Sequence, residues 1–276
     1  MNCRFCKTEL NKVFVDLVNS PASNSFLTQE QLDEPETFYP LKIYVCGECK
    51  LVQIDEYKKS DDIFDKDYAY FSSFSTSWLE HAKNYVDLMI NKLSLNNNSI
   101  VTEIASNDGY LLQYFKEYNI PCIGVEPTSS TAKVAKEKWI NVVEDFFGSK
   151  LAGTLKKSDL ILGNNVLAHV PDINDFVEGL KLALKDRGTI TMEFPHLLNI
   201  IKENQFDTIY HEHFSYFSFL TVINIFKHHE LEIFHVQELS THGGSLRLFV
   251  KHKSNDNFSI TPEIKNILDK ESKAGL

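Results

Sequence analysis

Ile100-Val-Thr-Glu-Ile-Ala-Ser-Asn-Asp-Gly-Tyr-Leu-Leu-Gln-Tyr114 runs from an apolar stretch, through a turn of small and polar residues, into apolar positions spaced as on a helix. The pattern predicts a strand over Ser99–Ala105, a tight turn, and a helix over Gly109–Tyr118. Working outward, the alternation continues. Cys122–Glu126, Asn141–Glu144, Asp159–Gly163 and Gly188–Phe194 read as strands, the last entered through an Asp186-Arg-Gly188 turn. Ser129–Lys138, Ile173–Leu184 and 219–229 read as helices, and Leu231–Glu238 and Ser245–Lys253 as a closing strand pair. Strands alternating with helices predict an α/β fold, a Rossmann-like parallel sheet with helices on both faces. Upstream, Trp78, Ala82, Tyr85, Leu88 and Met89 recur at helical spacing over 75–93.

A strand-to-helix turn in such a sheet is where a nucleotide-type cofactor approaches the backbone. In methyltransferases the turn usually reads acidic-x-Gly-x-Gly-x-Gly. Here Glu103-Ile-Ala-Ser-Asn-Asp-Gly109 keeps the acid and the last glycine, while Ala105 and Asn107 stand in place of the others. Asn tolerates the left-handed region better than most residues. Taken alone, Asn-Asp-Gly is an ordinary turn, but two later strand ends extend the pattern. Gly124-Val-Glu-Pro127 puts Glu126 17 residues after Gly109, where a ribose-binding acid belongs. Glu144-Asp-Phe-Phe147 offers Asp145 to an adenine amino group and Phe146 to the face of the base. Alone, Asp145 would read as a solvated loop acid; the ordered set points to S-adenosylmethionine. The absence of Gly-x-Gly-x-x-Gly disfavours a nicotinamide cofactor. The candidate cofactor residues are Glu103, Ala105, Ser106, Asn107, Gly109, Glu126, Pro127, Asp145, Phe146 and Asn164.

The chain has 276 residues, 43% of them hydrophobic and 12% aromatic, enough for a core of ordinary size. A net charge of −10 disfavours nucleic acid as a partner. No apolar run is long enough to span a bilayer, and Met-Asn-Cys-Arg-Phe-Cys is no secretory leader, so a cytoplasmic protein without a membrane partner is expected. Cys3/Cys6 and Cys46/Cys49 form two Cys-x-x-Cys pairs with 39 residues between them. That spacing predicts a tetrahedral four-cysteine Zn2+ site, with Gly47 easing one turn; a redox pair or unrelated buried thiols are the other readings. Four thiolates leave zinc no open position, so the site is structural. Cys122, on a core strand, reads as packing. The expected divisions are a zinc-binding domain over 1–56, a connector over 57–74, the cofactor domain over 75–253, and a C-terminal region over 254–276. That last region reads as a polar loop and a charged helix with no core of its own.

Two clusters carry candidate chemistry. Tyr210-His-Glu-His213 places two imidazoles, a carboxylate and a phenol in four residues, which is costly to bury without purpose. The histidines are two apart, unlike the zincin pattern. Histidine titrates near neutrality and suits a general base. Asn164-Asn-Val-Leu-Ala-His-Val170 starts at a strand end on the edge that faces the ligand crevice. Alone, His169 reads equally as a helix-start histidine. His196, His228, His229, His235 and His252 are assigned surface or structural roles. Thr241-His-Gly-Gly-Ser-Leu-Arg247 reads as a hairpin that could border the substrate. Tyr68, Tyr70 and Phe71 read as packing or as a lid.

With these motifs in view, the chain resembles the zinc-containing sugar C-methyltransferases that act on deoxysugar nucleotides. The likeness runs from Cys3 to about Lys253. It rests on the paired knuckles, Tyr70-Phe-Ser-Ser-Phe-Ser75, Ser106-Asn-Asp-Gly-Tyr-Leu-Leu112, Gly124-Val-Glu-Pro127, Asn165-Val-Leu-Ala-His-Val170, Tyr210-His-Glu-His213 and His242-Gly-Gly-Ser-Leu-Arg247. The resemblance implies an N-terminal zinc domain, a class I methyltransferase domain, and a third domain that this chain lacks, as though truncated at Leu276. It further implies that His213 removes the C3 proton of a nucleotide-linked 4-keto sugar. Tyr210, Glu212, His169 and Asn165 would orient the base and the oxyanion, and Tyr70 would line the pocket. An O- or N-methyltransferase acting on a small surface-glycan precursor, and a non-catalytic zinc- and cofactor-binding module, are the alternatives.

Overall fold

The computed structural model describes residues 1–59, 63 and 70–276, so Tyr68 and much of the expected connector lie outside the described residues. In chain order the strands are β1 (Lys12–Ser20), β2 (Tyr39–Val45), β3 (Val52–Ile54), β4 (Val101–Ile104), β5 (Cys122–Val125) and β6 (Asn141–Val143). They continue as β7 (Ser158–Asn164), β8 (Leu184–Pro195), β9 (Ser215–Tyr216), β10 (Leu231–Leu239) and β11 (Ser245–His252). The helices are α1 (Thr76–Leu93), α2 (Leu112–Glu117), α3 (Ser129–Glu137), α4 (Ser149–Ala152), α5 (Ile173–Ala183), α6 (Leu197–Lys202), α7 (Phe219–His228) and α8 (Pro262–Ala274).

Among the described residues the main sheet has seven strands in the order β10-β11-β8-β7-β4-β5-β6. The strands from β8 to β6 are parallel, and β11 and β10 close the edge antiparallel. Its central strands are buried on both faces, as parallel strands covered by helices must be. Residues alternate between two cores. Val101, Leu160 and Leu162 pack with Ala82, Tyr85 and Met89 of α1, Phe115 of α2 and Ala135 of α3. Ile161, Ile190 and Leu248 face the opposite way, onto Val177 of α5 and Val222 of α7. The chain leaves β4 for β5 on one side and returns beside it as β7 on the other. This reversal opens a crevice beyond the carboxyl ends of β4 and β7.

Several expectations change in detail. The helix expected from Gly109 begins at Leu112, because Gly109 sits at φ +73°, outside the helical region. The Asp186-Arg-Gly188 turn is a bulge inside β8, where the register slips against β7. On α1 the buried face is Ala82, Tyr85, Val86 and Met89, whereas Leu88 is exposed. The C-terminal helix does share a core: Ile267 and Glu271 are buried, and Ile267 packs against the α5–α7 layer. The Glu271 carboxylate meets His196 Nε2 at 2.7 Å and accepts the first two amides of α7, a favourable place for an anion.

The second sheet joins distant parts of the chain. Its order is β1-β2-β3-β9, and β9 follows the Tyr210–His213 loop. Val52 pairs with Tyr216 and Gln53 with Ser215, both antiparallel. The buried Arg4 side chain adds a second tie, donating to the carbonyls of Pro171 (2.6 Å) and Ile54 (2.7 Å). No helix among the described residues is long and apolar enough to cross a membrane.

Candidate active site

A cavity of about 1010 Å³ fills the crevice beyond β4 and β7. On one wall lies the turn after β4. Ala105 and Asn107 hold φ of 54° and 49°, so both keep the left-handed geometry of the glycines they replace. Asn107 also bonds through its backbone N–H and both side-chain polar atoms. Its backbone N–H donates to Glu126 Oε2 (2.8 Å), its Oδ1 accepts the Ser72 N–H (2.9 Å), and its Nδ2 donates to the Tyr70 carbonyl (3.1 Å). Ser73 Oγ donates to Asp108 Oδ2, so residues 70–73 are strapped over the turn.

Glu126, at the end of β5, is nearly buried and also accepts the Thr128 N–H at 3.0 Å. Burial raises its pKa, opposed chiefly by the hydrogen bonds from Thr128 and then from Asn107. A carboxylate can accept from a pair of vicinal hydroxyls. Ala105, Asn107, Glu126, Pro127, Asp145, Phe146 and Asn164 all line this cavity. Asp145 and Phe146 are exposed to it at the end of β6. Glu103, Ser106 and Gly109 are not part of the wall. Glu103 is buried on β4, and burial, with Glu126 and Asp108 nearby, raises its pKa well above the usual range. Ser106 is enclosed against Gly124, where any Cβ would lie 2.3 Å from its Oγ. Gly109 provides the turn and admits Ile140, which a Cβ would meet at 2.3 Å.

The facing wall is the loop between α6 and β9. His213 Nδ1 lies 2.8 Å from the Thr208 carbonyl, and its Nε2 lies 2.9 Å from the Tyr210 hydroxyl. The carbonyl can only accept, so Nδ1 carries the proton and Nε2 is the basic nitrogen. Burial, reinforced by His169 nearby, lowers the His213 pKa well below the usual value. The His169 ring crosses that of His213 at 4.7 Å, and burial pushes its own pKa down to about 4. Both imidazoles are neutral near pH 7. Glu212 turns toward the N-terminal domain, where its Oε1 accepts from Ser23 Oγ (2.7 Å) and Asn24 Nδ2 (2.9 Å). Burial raises its pKa, against those two hydrogen bonds. His211 lies 3.2 Å from the Pro40 carbonyl and packs edge-on against Tyr39 and Tyr57. Asn165 and Tyr70 complete the set of expected residues on the cavity wall.

Four residues on or behind the cavity wall were not among the expected site residues. Trp78 lines the cavity, stacked on Tyr110 and His81. Ser23 and Asn24 hold Glu212 from 189 and 188 positions away, with no local signal to mark them. His242 reaches the wall from the glycine turn before β11. A histidine between a strand end and two glycines was the available hint.

The four cysteines meet as their spacing predicts, with all four Sγ atoms within 4.8 Å of one another. Cys3 and Cys49, and Cys6 and Cys46, are 3.5 Å apart. Tetrahedral Zn–S bonds of about 2.3 Å require sulfur separations near 3.8 Å, so the cluster fits a zinc ion. The turn chemistry differs from expectation. Gly47 is not left-handed; each knuckle instead ends at a left-handed lysine, Lys7 or Lys50, both at φ 63°. Gln53 Nε2 donates to Cys3 Sγ at 3.2 Å from the strand that pairs with β9.

Comparison with known proteins agrees with this anatomy. Residues 3–64 match a family described as a zinc binding domain, and residues 78–236 match one described as a methyltransferase domain. The chain is 30% identical to C-methyltransferase NovU of Streptomyces niveus over 99% of its own length, and spans 66% of that relative. Among solved structures, the PH0226 protein of Pyrococcus horikoshii superposes with a TM-score of 0.54 at 13% identity, over 67% of this chain and 95% of that one. Magnesium protoporphyrin IX methyltransferase from Synechocystis, with bound S-adenosylhomocysteine, gives 0.50 at 13% identity, over 62% of this chain and 82% of that one. At such identity the two structures speak for the fold. The chain therefore belongs to the S-adenosylmethionine-dependent methyltransferases and carries an N-terminal zinc-binding domain.

Proposed function

We propose that the protein methylates carbon, removing a proton from C3 of a nucleotide-linked 4-keto deoxysugar with His213 as the base. The observation that carries this reading is the buried, neutral His213, with Nε2 turned to the Tyr210 hydroxyl and Nδ1–H fixed on the Thr208 carbonyl. A base aimed at an ordinary hydroxyl acceptor gains little from such dehydration, whereas a weakly acidic C–H next to a ketone needs a neutral imidazole and a nearby donor for the enolate oxygen. Tyr210 supplies that donor. Burial raises its pKa above the usual phenol value, so it stays protonated. As the ketone arrives, the hydroxyl transfers its hydrogen bond from Nε2 to the substrate oxygen and frees the nitrogen lone pair. The C3–H bond then breaks, its proton goes to Nε2, and the electron pair becomes the enolate. Asn165 and His169 border the same space, and Glu212 holds the loop to the N-terminal domain. Bound S-adenosylmethionine supplies the methyl group that the enolate carbon accepts. Glu126 would hold its ribose, and Asp145 and Phe146 its adenine.

The test is isotopic. In deuterated water, a 4-keto deoxysugar nucleotide should gain deuterium at C3 in the presence of enzyme, and the methylated product should carry a C–CH3 signal. A methoxy product with no exchange at C3 overturns the reading in favour of oxygen as the acceptor atom.

A further inference from the structure

We infer that His242 is a substrate-contacting residue, one that donates an N–H to the acceptor's ketone oxygen. The assignment rests on the carbon-methylation reading above.

The backbone is the first observation. His242 sits at φ 49°, ψ 44°, a conformation that costs a non-glycine residue on the order of 1 kcal/mol. Strain of this kind persists only where surrounding structure enforces it, and here it does. Gln205 Nε2 donates to the Gly243 carbonyl (2.8 Å), and Asn199 Nδ2 donates to the Gly244 carbonyl (3.2 Å). The His196 N–H reaches that same Gly244 carbonyl at 3.0 Å. From the other side, Thr241 Oγ1 donates to Glu193 Oε1 (2.9 Å), and Glu193 is itself fully buried and paired with Arg247 (2.8 Å). A turn anchored by four hydrogen bonds carries one residue whose side chain is spent on none of that anchoring.

The ring's surroundings are the second observation. It stands edge-on to Trp78 with centroids 5.0 Å apart, and both residues line the reaction cavity. The Asn165 amide nitrogen lies 3.4 Å and 3.5 Å from the two ring nitrogens, long contacts that leave the ring free to choose another partner. Asn165 is itself left-handed, at φ 56°. Two strained polar residues from different strand ends thus meet on one wall.

The third observation is protonation. Desolvation against the cavity wall lowers the His242 pKa although the residue is exposed, with Glu193 opposing, so the ring is neutral near pH 7. A neutral imidazole keeps one N–H and adds no positive charge beside the base. It can therefore stabilise an enolate oxygen without stopping His213 from accepting the proton.

The experiment separates donor from scaffold. His242→Leu removes the donor, while His242→Asn keeps an N–H and tolerates the left-handed backbone. In the leucine variant, deuterium exchange at C3 and kcat should both fall about 100-fold, with S-adenosylmethionine affinity by calorimetry unchanged within about twofold. The asparagine variant should recover at least about tenfold of that loss. Near-wild-type exchange in His242→Leu overturns the assignment alone, as does an equal loss in both variants with intact cofactor binding. If the wild-type protein itself shows no exchange while forming a methoxy product, the carbon-methylation reading falls and this assignment falls with it.

Discussion

The wall proposed for the cofactor and the wall proposed for the reaction are neighbours in space but differ in how the chain builds them. Ala105, Asn107, Glu126 and Asp145 follow three successive strand ends in the parallel part of one sheet, the last strand ending 39 positions after the first. Tyr210, Glu212 and His213 come from a loop whose partners are far away. Ser23 and Asn24 hold Glu212, Pro40 receives His211, and β3 takes the strand that follows. The first wall depends on a local strand–turn–helix rule. The second exists only when an N-terminal sheet of four strands, pinned by the cysteine cluster, is in place. One wall should therefore survive insults that destroy the other.

Zinc removal is the strongest way to break that contrast. Cys46 and Cys3 are completely buried in the same core as Leu51, Phe217 and Val222, so loss of the ion should unravel β2, β3 and the pairing with β9. Cys46→Ser, or exhaustive chelation, should lower turnover by on the order of 1000-fold or more while S-adenosylmethionine affinity changes less than about threefold. Metal analysis of the wild type should give about one zinc per chain. An equal collapse of cofactor binding would show that the two walls are one cooperative unit.

A sharper incision is His213→Asn, which leaves both sheets alone. Turnover should drop by about 1000-fold, as expected for loss of a general base, with no change in cofactor affinity. The wild-type pH profile adds a check. Burial holds the His213 pKa well below the usual 6.5 and that of His169 near 4. kcat/KM should then stay level as pH falls through 6.5 and decline only well below it. Stability behaves in parallel. The unfolded chain takes up protons on these histidines below about pH 6.5 while the folded one does not, so stability present above that pH is lost as pH falls toward 4. A kinetic limb centred at 6.5 would mean that the base is solvated and is not His213.

The contrast also explains what could be read in advance. The order of strands, both helical faces of the main sheet and the metal ligands follow from periodicity and spacing, which are local quantities. So do the strand ends that present Glu126, Asp145 and Asn164. The Tyr-His-Glu-His cluster was conspicuous because burying four polar groups is costly. What held it was not legible: no pattern around Ser23 or Asn24 announces a carboxylate 189 positions later. For the same reason no strand was expected over β9, two residues long, and a charged C-terminal helix gave no sign that Glu271 would cap α7. Pairings between distant segments are decided by shape and satisfied hydrogen bonds, and short elements carry too little periodicity to show them.

On the cofactor side, Glu126→Ala should weaken S-adenosylmethionine binding by about 30-fold, the worth of charge-assisted bonds to two hydroxyls. Part of that loss comes from the turn itself, since the variant frees the Asn107 and Thr128 amides that the carboxylate now holds. Deuterium exchange at C3, measured without methyl donor, should change far less. Unchanged calorimetric affinity would remove Glu126 from the cofactor site.

The smallest expected effects come from the two residues that make the turn look degenerate, and they should have opposite signs. Ala105 is strained at φ 54°, and its side chain supplies no hydrogen bond to repay the strain. Ala105→Gly releases about 1–2 kcal/mol of steric cost and restores about 0.4–1 kcal/mol of unfolded-chain entropy. A net gain of roughly 0.5 kcal/mol should follow, visible as a slightly higher denaturation midpoint. Asn107→Gly releases similar strain but deletes the two bonds to Tyr70 and Ser72 that strap residues 70–73 over the turn. Stability should fall by about 1 kcal/mol, and proteolysis within 70–74 should quicken. Gains in both variants would mean that the strap contributes nothing and that Asn107 is only a tolerated replacement for glycine. Opposite signs would mean that the departure from the usual glycine pattern is selective: Ala105 endures the left-handed backbone, whereas Asn107 uses it to fasten the cofactor wall to the segment leading back to the zinc domain.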